Sequence, residues 1–135
     1  VAALAGASGV HVGQEDLPPS DVRNIVGADA IVGVSTHTEA QIASAVEEPI
    51  SYLAVGPVFR TATKDTGYDE VGLSLVRAAA DAAKGKRLPV VAIGGITLST
   101  AASVIDAGAA SLAIITDLVS ADPERRVREY LAVLG

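Results

Sequence analysis

The sequence predicts an α/β fold in which parallel β-strands alternate with α-helices. Five short runs rich in valine, isoleucine and alanine recur about every twenty-odd residues, and segments with helical spacing separate them. Hydrophobic residues make up 50% of the chain but aromatic residues only 3%, so the core must be built from small aliphatic side chains. Such a core is typical of parallel strands covered by helices on both faces.

The predicted strands are the apolar runs that end at polar or glycine-rich residues. The clearest of them, Tyr52–Val55, leads directly into Gly56 and Pro57, as expected where a buried strand enters a loop. The five predicted strands cover residues 10–12, 30–34, 52–55, 89–93 and 112–115.

The helices are predicted from apolar residues at helical spacing and from residues that favour helix ends. In the longest, Leu73, Val76, Ala79 and Ala80 would share one face, and a later helix stops at Gly108. Residues 1–7 are predicted to be the end of a helix that is closed near Gly9. A helix over residues 18–26 would have Ser20 or Asp21 as its N-cap, and one from Thr38 has the capping-box spacing to Gln41. The other helices are predicted over residues 72–83, over 99–107 and from Asp122.

Composition limits the possible functions. At 135 residues the chain is expected to form one domain, residues 1–135. It has no cysteine, which excludes disulfides and thiolate metal sites and is compatible with a cytoplasmic location. A net charge of −6 argues against nucleic-acid binding, and the apolar stretches are far below the ~18 residues of a membrane span.

All the polar and glycine-rich segments follow the carboxyl ends of predicted strands. A (β/α)8 barrel has this polarity, with its site at the carboxyl ends of the strands. A doubly wound open sheet also binds ligands there, so the polarity alone does not distinguish the two folds.

The loop after the third strand carries two hydroxyls and an ammonium group within four residues. Thr61 and Thr63 can donate to phosphate oxygens, and Lys64 supplies a compact positive charge. The pattern suits a phosphorylated ligand, but a solvated polar turn without a ligand would have the same composition.

Two further corners could contribute to an anion site. Gly94-Gly95 and Ile115-Thr116 follow the fourth and fifth strands, and glycines at a helix start allow close approach of a phosphate. The alternative for Gly94-Gly95 is a tight turn that binds nothing.

Three polar residues follow the first two strands. Asp16 could hold Mg²⁺, which prefers oxygen ligands, or could be a helix-entry or surface carboxylate. Ser35 could hydrogen-bond a ligand. His37 could act as a base, although ordering of its loop is the favoured role because no nucleophile lies nearby in the sequence.

In this order and spacing, the motifs resemble the thiamine phosphate synthase family over essentially the whole chain. The resemblance implies a (β/α)8 barrel that joins hydroxymethylpyrimidine diphosphate to thiazole phosphate and releases pyrophosphate. The matching segments are GVHVGQEDLP at residues 9–18, IVGVSTHT at 31–38, GPVF at 56–59 with TATK at 61–64, and VVAIGGIT at 90–97.

The resemblance also implies a role for each candidate residue. Asp16 would be a Mg²⁺ ligand, and Ser35 and Lys64 would contact the pyrimidine diphosphate and carry the catalysis. Thiazole phosphate would be held by the remaining substrate-binding residues, which are Thr61, Thr63, Gly95, Ile115 and Thr116. The partners would be small phosphorylated molecules, with no protein nucleophile or general base required.

The chain departs from the family pattern in two places. The resemblance begins inside the third helix of that pattern, so its first three strands, a Gln/Lys diphosphate segment and an Asn-Asp pair have no counterpart. In addition, Arg60 stands where the family usually has proline. Five units cannot close an eight-stranded barrel, so we expect an open sheet, or self-association into a homo-oligomer that covers unpaired edges near Val10 and Ile114.

Three functions are therefore considered. The first is a thiamine phosphate synthase-type transferase that is impaired or inactive as this chain. The second is a thiazole tautomerase, a related group that carries His where this chain has Pro57 and lacks the full T-x-T-K pattern. The third is a non-catalytic phosphate-binding remnant.

Overall fold

The computed structural model describes residues 1–61, 67–119 and 122–135. Its strands form a single parallel sheet in the order β1-β2-β3-β4-β5, each paired with the next along the chain. The elements are β1 (Gly9–Val12), α1 (Pro19–Val26), β2 (Ile31–Thr36), α2 (Glu39–Ala45), β3 (Tyr52–Val55), α3 (Gly72–Lys84), β4 (Val90–Ile93), α4 (Leu98–Asp106), β5 (Ser111–Ala113) and α5 (Pro123–Leu134).

The helices pack on one face of the sheet, not on both as the composition suggested. Alternate strand residues such as Val32 and Leu53 are fully buried and join Ile42 of α2 and Val76 of α3 in one hydrophobic cluster. On the opposite face, Ile31 remains 53% exposed. Consecutive parallel strands joined by crossovers of the same hand place the four connecting helices, α1–α4, on the same side, which explains the single layer.

The two ends of the sheet are open edges. In the described residues β1 pairs only with β2, and β5 only with β4, so the strands do not close into a barrel. The predicted α/β fold with about five parallel strands and an open sheet is therefore confirmed. We call the face that carries no helices the inner face, because in a closed barrel it would line the interior.

Most predicted boundaries agree with the structure, and the largest differences lie at chain turns. Residues 1–5 form a single helical turn that ends at Gly6, with φ +63°, and not near Gly9, which begins β1. There Gly6 N–H donates to Ala3 O and Ala7 N–H to Ala2 O, the pattern of a Schellman motif.

The N-cap of α1 was predicted wrongly. It is Pro18, with Pro19 in the first turn, and neither Ser20 nor Asp21 caps it. The fixed φ of proline suits the first helical position, so the two prolines begin the helix earlier than the hydroxyl and carboxyl groups would. By contrast, Thr38 caps α2 as expected, accepting from Gln41 N–H at 3.2 Å.

In the described part of the chain, every helix is too short or too polar to cross a membrane.

Candidate functional site

The predicted site residues that the structure describes all lie at the carboxyl edge of the sheet. Asp16 follows β1, Ser35 is the penultimate residue of β2, and Thr61 follows β3. Gly95 follows β4, and Ile115 and Thr116 lie in the turn after β5, which ends two residues earlier than predicted. Thr63 and Lys64 fall outside the described residues.

The loop after β1 is folded back and attached to the end of β2. The Gln14 side chain donates from Nε2 to the carbonyl oxygen of Ser35 at 2.6 Å. Within the loop, Asp16 Oδ2 accepts from Gly13 N–H at 2.7 Å. These two contacts fix the loop carrying the Asp16 carboxylate beside the strand that carries Ser35.

The exposed Asp16 side chain is a partial fit to a magnesium site. Mg²⁺ is commonly held by one or two carboxylates together with substrate phosphates and water. Asp16 supplies one carboxylate, and within the described ranges no group of three His, Cys, Asp or Glu side chains could enclose a metal. Asp16 thus offers one oxygen-ligand side chain of the kind that Mg²⁺ takes.

The side chain of Ser35 is held from the inner face by His11, a residue to which the sequence motifs assign no role. His11 of β1 lies 2.7 Å from Ser35 Oγ through Nε2 and 2.8 Å from the Tyr52 hydroxyl through Nδ1. Burial lowers the pKa of His11, and the nearby Asp16 carboxylate opposes this effect. The available signal was a histidine inside an apolar strand, but its partners depend on the pairing of three strands.

His37 has the loop-ordering role favoured from the sequence. Its Nδ1 is hydrogen-bonded to Gly56 O, and its ring stacks on Tyr68 with centroids 3.8 Å apart. Its backbone N–H donates to Gln41 Oε1 at 2.7 Å. His37 therefore connects the ends of β2 and β3 with the loop that returns to α3.

The loops after β3 and β4 run side by side. The backbone N–H groups of Val58 and Phe59 donate to Ile93 O at 2.9 Å and to Gly94 O at 3.1 Å, continuing the pairing past the ends of both strands. The Gly56–Pro57 peptide bond before them is cis.

The glycines after β4 are required by this packing. A Cβ added to Gly94, whose φ is +98°, would lie 2.6 Å from Pro57 Cα. One added to Gly95 would lie 2.6 Å from the carbonyl oxygens of Phe59 and Arg60. Their side-chain positions are thus filled by the neighbouring loop, while Gly95 N–H has no hydrogen-bond acceptor among the described residues.

The start of α4 is already occupied by a carboxylate. Asp117 Oδ2 accepts from Leu98 N–H at 3.0 Å and from the Tyr130 hydroxyl at 2.6 Å, and Arg126 Nε lies 3.8 Å away. The Tyr130 hydrogen bond is the main reason why the pKa of Asp117 is lowered, while burial and Asp117 raise the pKa of Tyr130. Leu98 N–H, at the start of α4, therefore already has an acceptor within the protein.

A parallel sheet with one layer of helices, and with polar residues along the carboxyl ends of its strands, defines the class of (β/α)-barrel proteins, here in an open form. A family model described as thiamine monophosphate synthase matches residues 1–118. The chain belongs to this family.

Named relatives agree with the family match. The chain is 45% identical over 119 residues to a thiamine-phosphate synthase of Caldicellulosiruptor saccharolyticus, covering 88% of this chain and 52% of the relative. It is 46% identical over 134 residues to that of Koribacter versatilis, covering 99% and 62%. The chain thus spans between about half and two thirds of the length of these relatives.

A solved structure supports the fold directly. The thiamine phosphate pyrophosphorylase from Pyrococcus furiosus superposes with a TM-score of 0.82 at 28% identity, covering 99% of this chain and 64% of that one. The five βα units of this chain therefore have counterparts in a solved thiamine phosphate pyrophosphorylase.

Proposed function

We propose that this chain carries synthase-type transferase chemistry, in which hydroxymethylpyrimidine diphosphate is joined to thiazole phosphate with release of pyrophosphate. The proposal is supported by the family match and by the polar residues at the carboxyl edge of the sheet. Because the 135 residues span only part of the relatives' length, we expect weak or no turnover from them alone.

The observation that carries the proposal most strongly is the contact between the loops after β3 and β4. It brings Gly95 against the backbone of Phe59 and Arg60, the two residues that precede Thr61 in the sequence. In this proposal Thr61, Thr63 and Gly95 bind the thiazole phosphate, together with Ile115 and Thr116. The Gly95 N–H is a suitable donor for a phosphate oxygen.

The pyrimidine diphosphate is assigned to Ser35 at the end of β2, and Lys64, which follows Thr63 in the sequence, would contact the same substrate. In the reaction, the bond between the pyrimidine methylene carbon and the diphosphate oxygen breaks, and its electron pair leaves with pyrophosphate. The lone pair of the thiazole nitrogen then forms the new bond to that carbon. Lys64 would stabilise the leaving charge, and the grip on the thiazole phosphate would supply the alignment that replaces a protein nucleophile.

Asp16 is the proposed magnesium ligand. Bound Mg²⁺ would neutralise negative charge on the diphosphate. The Gly13 N–H and Gln14 contacts position the carboxylate for this role. Asp16→Asn should therefore reduce Mg²⁺-dependent binding of the pyrimidine diphosphate and leave binding of thiazole phosphate unchanged.

Calorimetry with each substrate, followed by a turnover assay with Mg²⁺, tests the proposal. Binding of both substrates supports the synthase function even if turnover is slow. Binding of thiazole phosphate alone would favour the non-catalytic remnant, and binding of neither would reject the assignment. We disfavour a tautomerase because Pro57 occupies the position of that group's histidine.

We further propose that the open edges at β1 and β5 associate in a homo-oligomer of a cytoplasmic protein. Unpaired strand edges favour such pairing. Light scattering over a range of concentrations should give a mass above that of one chain. Ser111→Lys places a charge on an exposed edge residue of β5, so this variant should have a lower average mass than wild type. A single-chain mass at all concentrations would contradict this proposal.

A further inference from the structure

A chain of hydrogen bonds crosses three strands on the inner face. The Tyr52 hydroxyl of β3 lies 2.8 Å from His11 Nδ1 on β1, and His11 Nε2 lies 2.7 Å from Ser35 Oγ on β2. Ser35, the last residue in this series of hydrogen bonds, is the one assigned to the pyrimidine diphosphate. Its carbonyl oxygen is fixed separately by Gln14.

The arrangement depends on a glycine in the central strand. His11, Gly33 and Tyr52 are register partners on neighbouring strands and therefore share one face. A Cβ on Gly33 would lie 2.1 Å from Tyr52 Cζ, so the tyrosine ring occupies the space above this residue. The absent side chain lets Tyr52 reach across β2, where its ring stacks on His11 with centroids 5.5 Å apart.

The chemistry of the three side chains determines which group donates in each of the two hydrogen bonds. A neutral imidazole has one donor and one acceptor nitrogen. Because a phenol is more acidic than a neutral imidazole N–H, Tyr52 is the better donor and would donate to Nδ1. Nε2 then carries the proton and donates to Ser35 Oγ, which leaves the hydroxyl proton of Ser35 free to point away from His11.

We propose that His11 and Tyr52 are positioning residues that orient the Ser35 hydroxyl as a hydrogen-bond donor toward an acceptor atom of the pyrimidine substrate. This inference rests on the proposed function, since it takes Ser35 as a ligand contact. Its physical content is a fixed tautomer of His11 and a fixed direction of the Ser35 proton.

Histidine NMR of the 135-residue chain tests the tautomer without any substrate. The chain has two histidines, so His11→Gln assigns the signals by difference. Above the His11 pKa, wild type should show only the Nε2–H form of His11. Tyr52→Phe, which keeps the ring but removes the donor, should allow a measurable share of the Nδ1–H form, while His37 signals stay unchanged. A wild-type Nδ1–H form, or identical His11 spectra in wild type and Tyr52→Phe, would overturn the proposal.

Calorimetry with hydroxymethylpyrimidine diphosphate and Mg²⁺ tests the action through Ser35. Tyr52→Phe should weaken binding about three- to tenfold, the value of one ordinary hydrogen bond. In a Ser35→Ala background the same change should have no further effect, because its target is gone. Equal losses in both backgrounds would mean that Tyr52 is only structural and would refute the positioning role.

The two experiments separate this inference from the proposed function. If wild type does not bind the pyrimidine diphosphate, the proposed function fails. The NMR result alone then decides whether the hydrogen bonds from Tyr52 and His11 orient Ser35. If wild type binds and the tautomer is the opposite one, the function stands and the inference is wrong.

Discussion

Tyr130→Phe is expected to destabilise the protein by removing one hydrogen bond to a charged group. The Tyr130 hydroxyl donates to Asp117 at 2.6 Å, and the residue is only 4% exposed. Phenylalanine fills the same space, so no cavity is added. Hydrogen bonds to charged groups contribute about 1.5–3 kcal/mol. The Asp117 side chain is 22% exposed and water can partly replace the lost donor, so we expect the lower end, about 1.5 kcal/mol.

The pH dependence of this loss gives a sharper test. The folded-state pKa of Asp117 is lowered below its usual 3.8, so its contribution to stability is fully present above that value. The contribution is lost as the pH falls through the folded-state pKa, because the unfolded chain then binds the proton more readily. Tyr130→Phe removes the largest cause of the lowered pKa, so the variant should lose less stability on acidification than wild type does.

Urea unfolding at pH 7 and at a series of pH values below 4 provides the measurement. Arg125→Gln is a matched control on the same helix, because it breaks an exposed ion pair with Glu129 that is worth less than about 0.5 kcal/mol. The reasoning is refuted if Tyr130→Phe costs no more than this control at pH 7. It is also refuted if wild type and Tyr130→Phe lose equal stability on acidification.

The remaining predictions also concern stability and use the same urea assay. Gly94→Ala should lower the free energy of unfolding by at least about 2 kcal/mol, because it combines a strained φ with a clash against Pro57. Gly85 lies in open space at a helical φ, so Gly85→Ala should be neutral or stabilising. Equal changes in stability for the two variants would contradict the packing argument. Thr36→Val should cost about 1–3 kcal/mol by removing the buried bond to Ala54 O at 2.9 Å, and Thr36→Ser should retain most of that stability. A stable Thr36→Val variant would show that the bond contributes little.

The sheet could be predicted from the sequence because its signals are local. Each apolar run is short, lies between polar segments and contains small aliphatic residues, so β3 was predicted with its exact bounds, Tyr52–Val55. The failures at Ser20 and Asp21 were also local, since two prolines fixed the helix start before the polar residues could act as caps. A tertiary contact contributes as well, because the Ser20 N–H at this helix start donates to Glu48 Oε2 at 3.1 Å.

The candidate site was predictable only in part because strand register is long-range information. The sequence places Ser35 after a strand, but the contact between His11 and Ser35 links residues 24 positions apart. The contact between His11 and Tyr52 links residues 41 positions apart. Likewise, Gly94 could be interpreted as a phosphate-binding or turn residue. The structure shows another reason for a glycine at this position, which is the close approach of the loop after β3. No sequence pattern around Gly94 indicates that approach.

In the open sheet, the residues that form the core and the residues of the proposed site alternate along the same strands. In β2, Val32, Val34 and Thr36 face the helices and are almost fully buried, whereas Ser35 between them belongs to the inner face, as does Gly33. The helix-facing residues form the core, and the inner-face residues bring polar groups of three strands together at one edge. Because the strand period is two residues, a one-residue slip of β2 would exchange these sets, burying Ser35 and exposing valine. The hydrophobic face of each strand therefore enforces the register on which the hydrogen bonds between Tyr52, His11 and Ser35 depend.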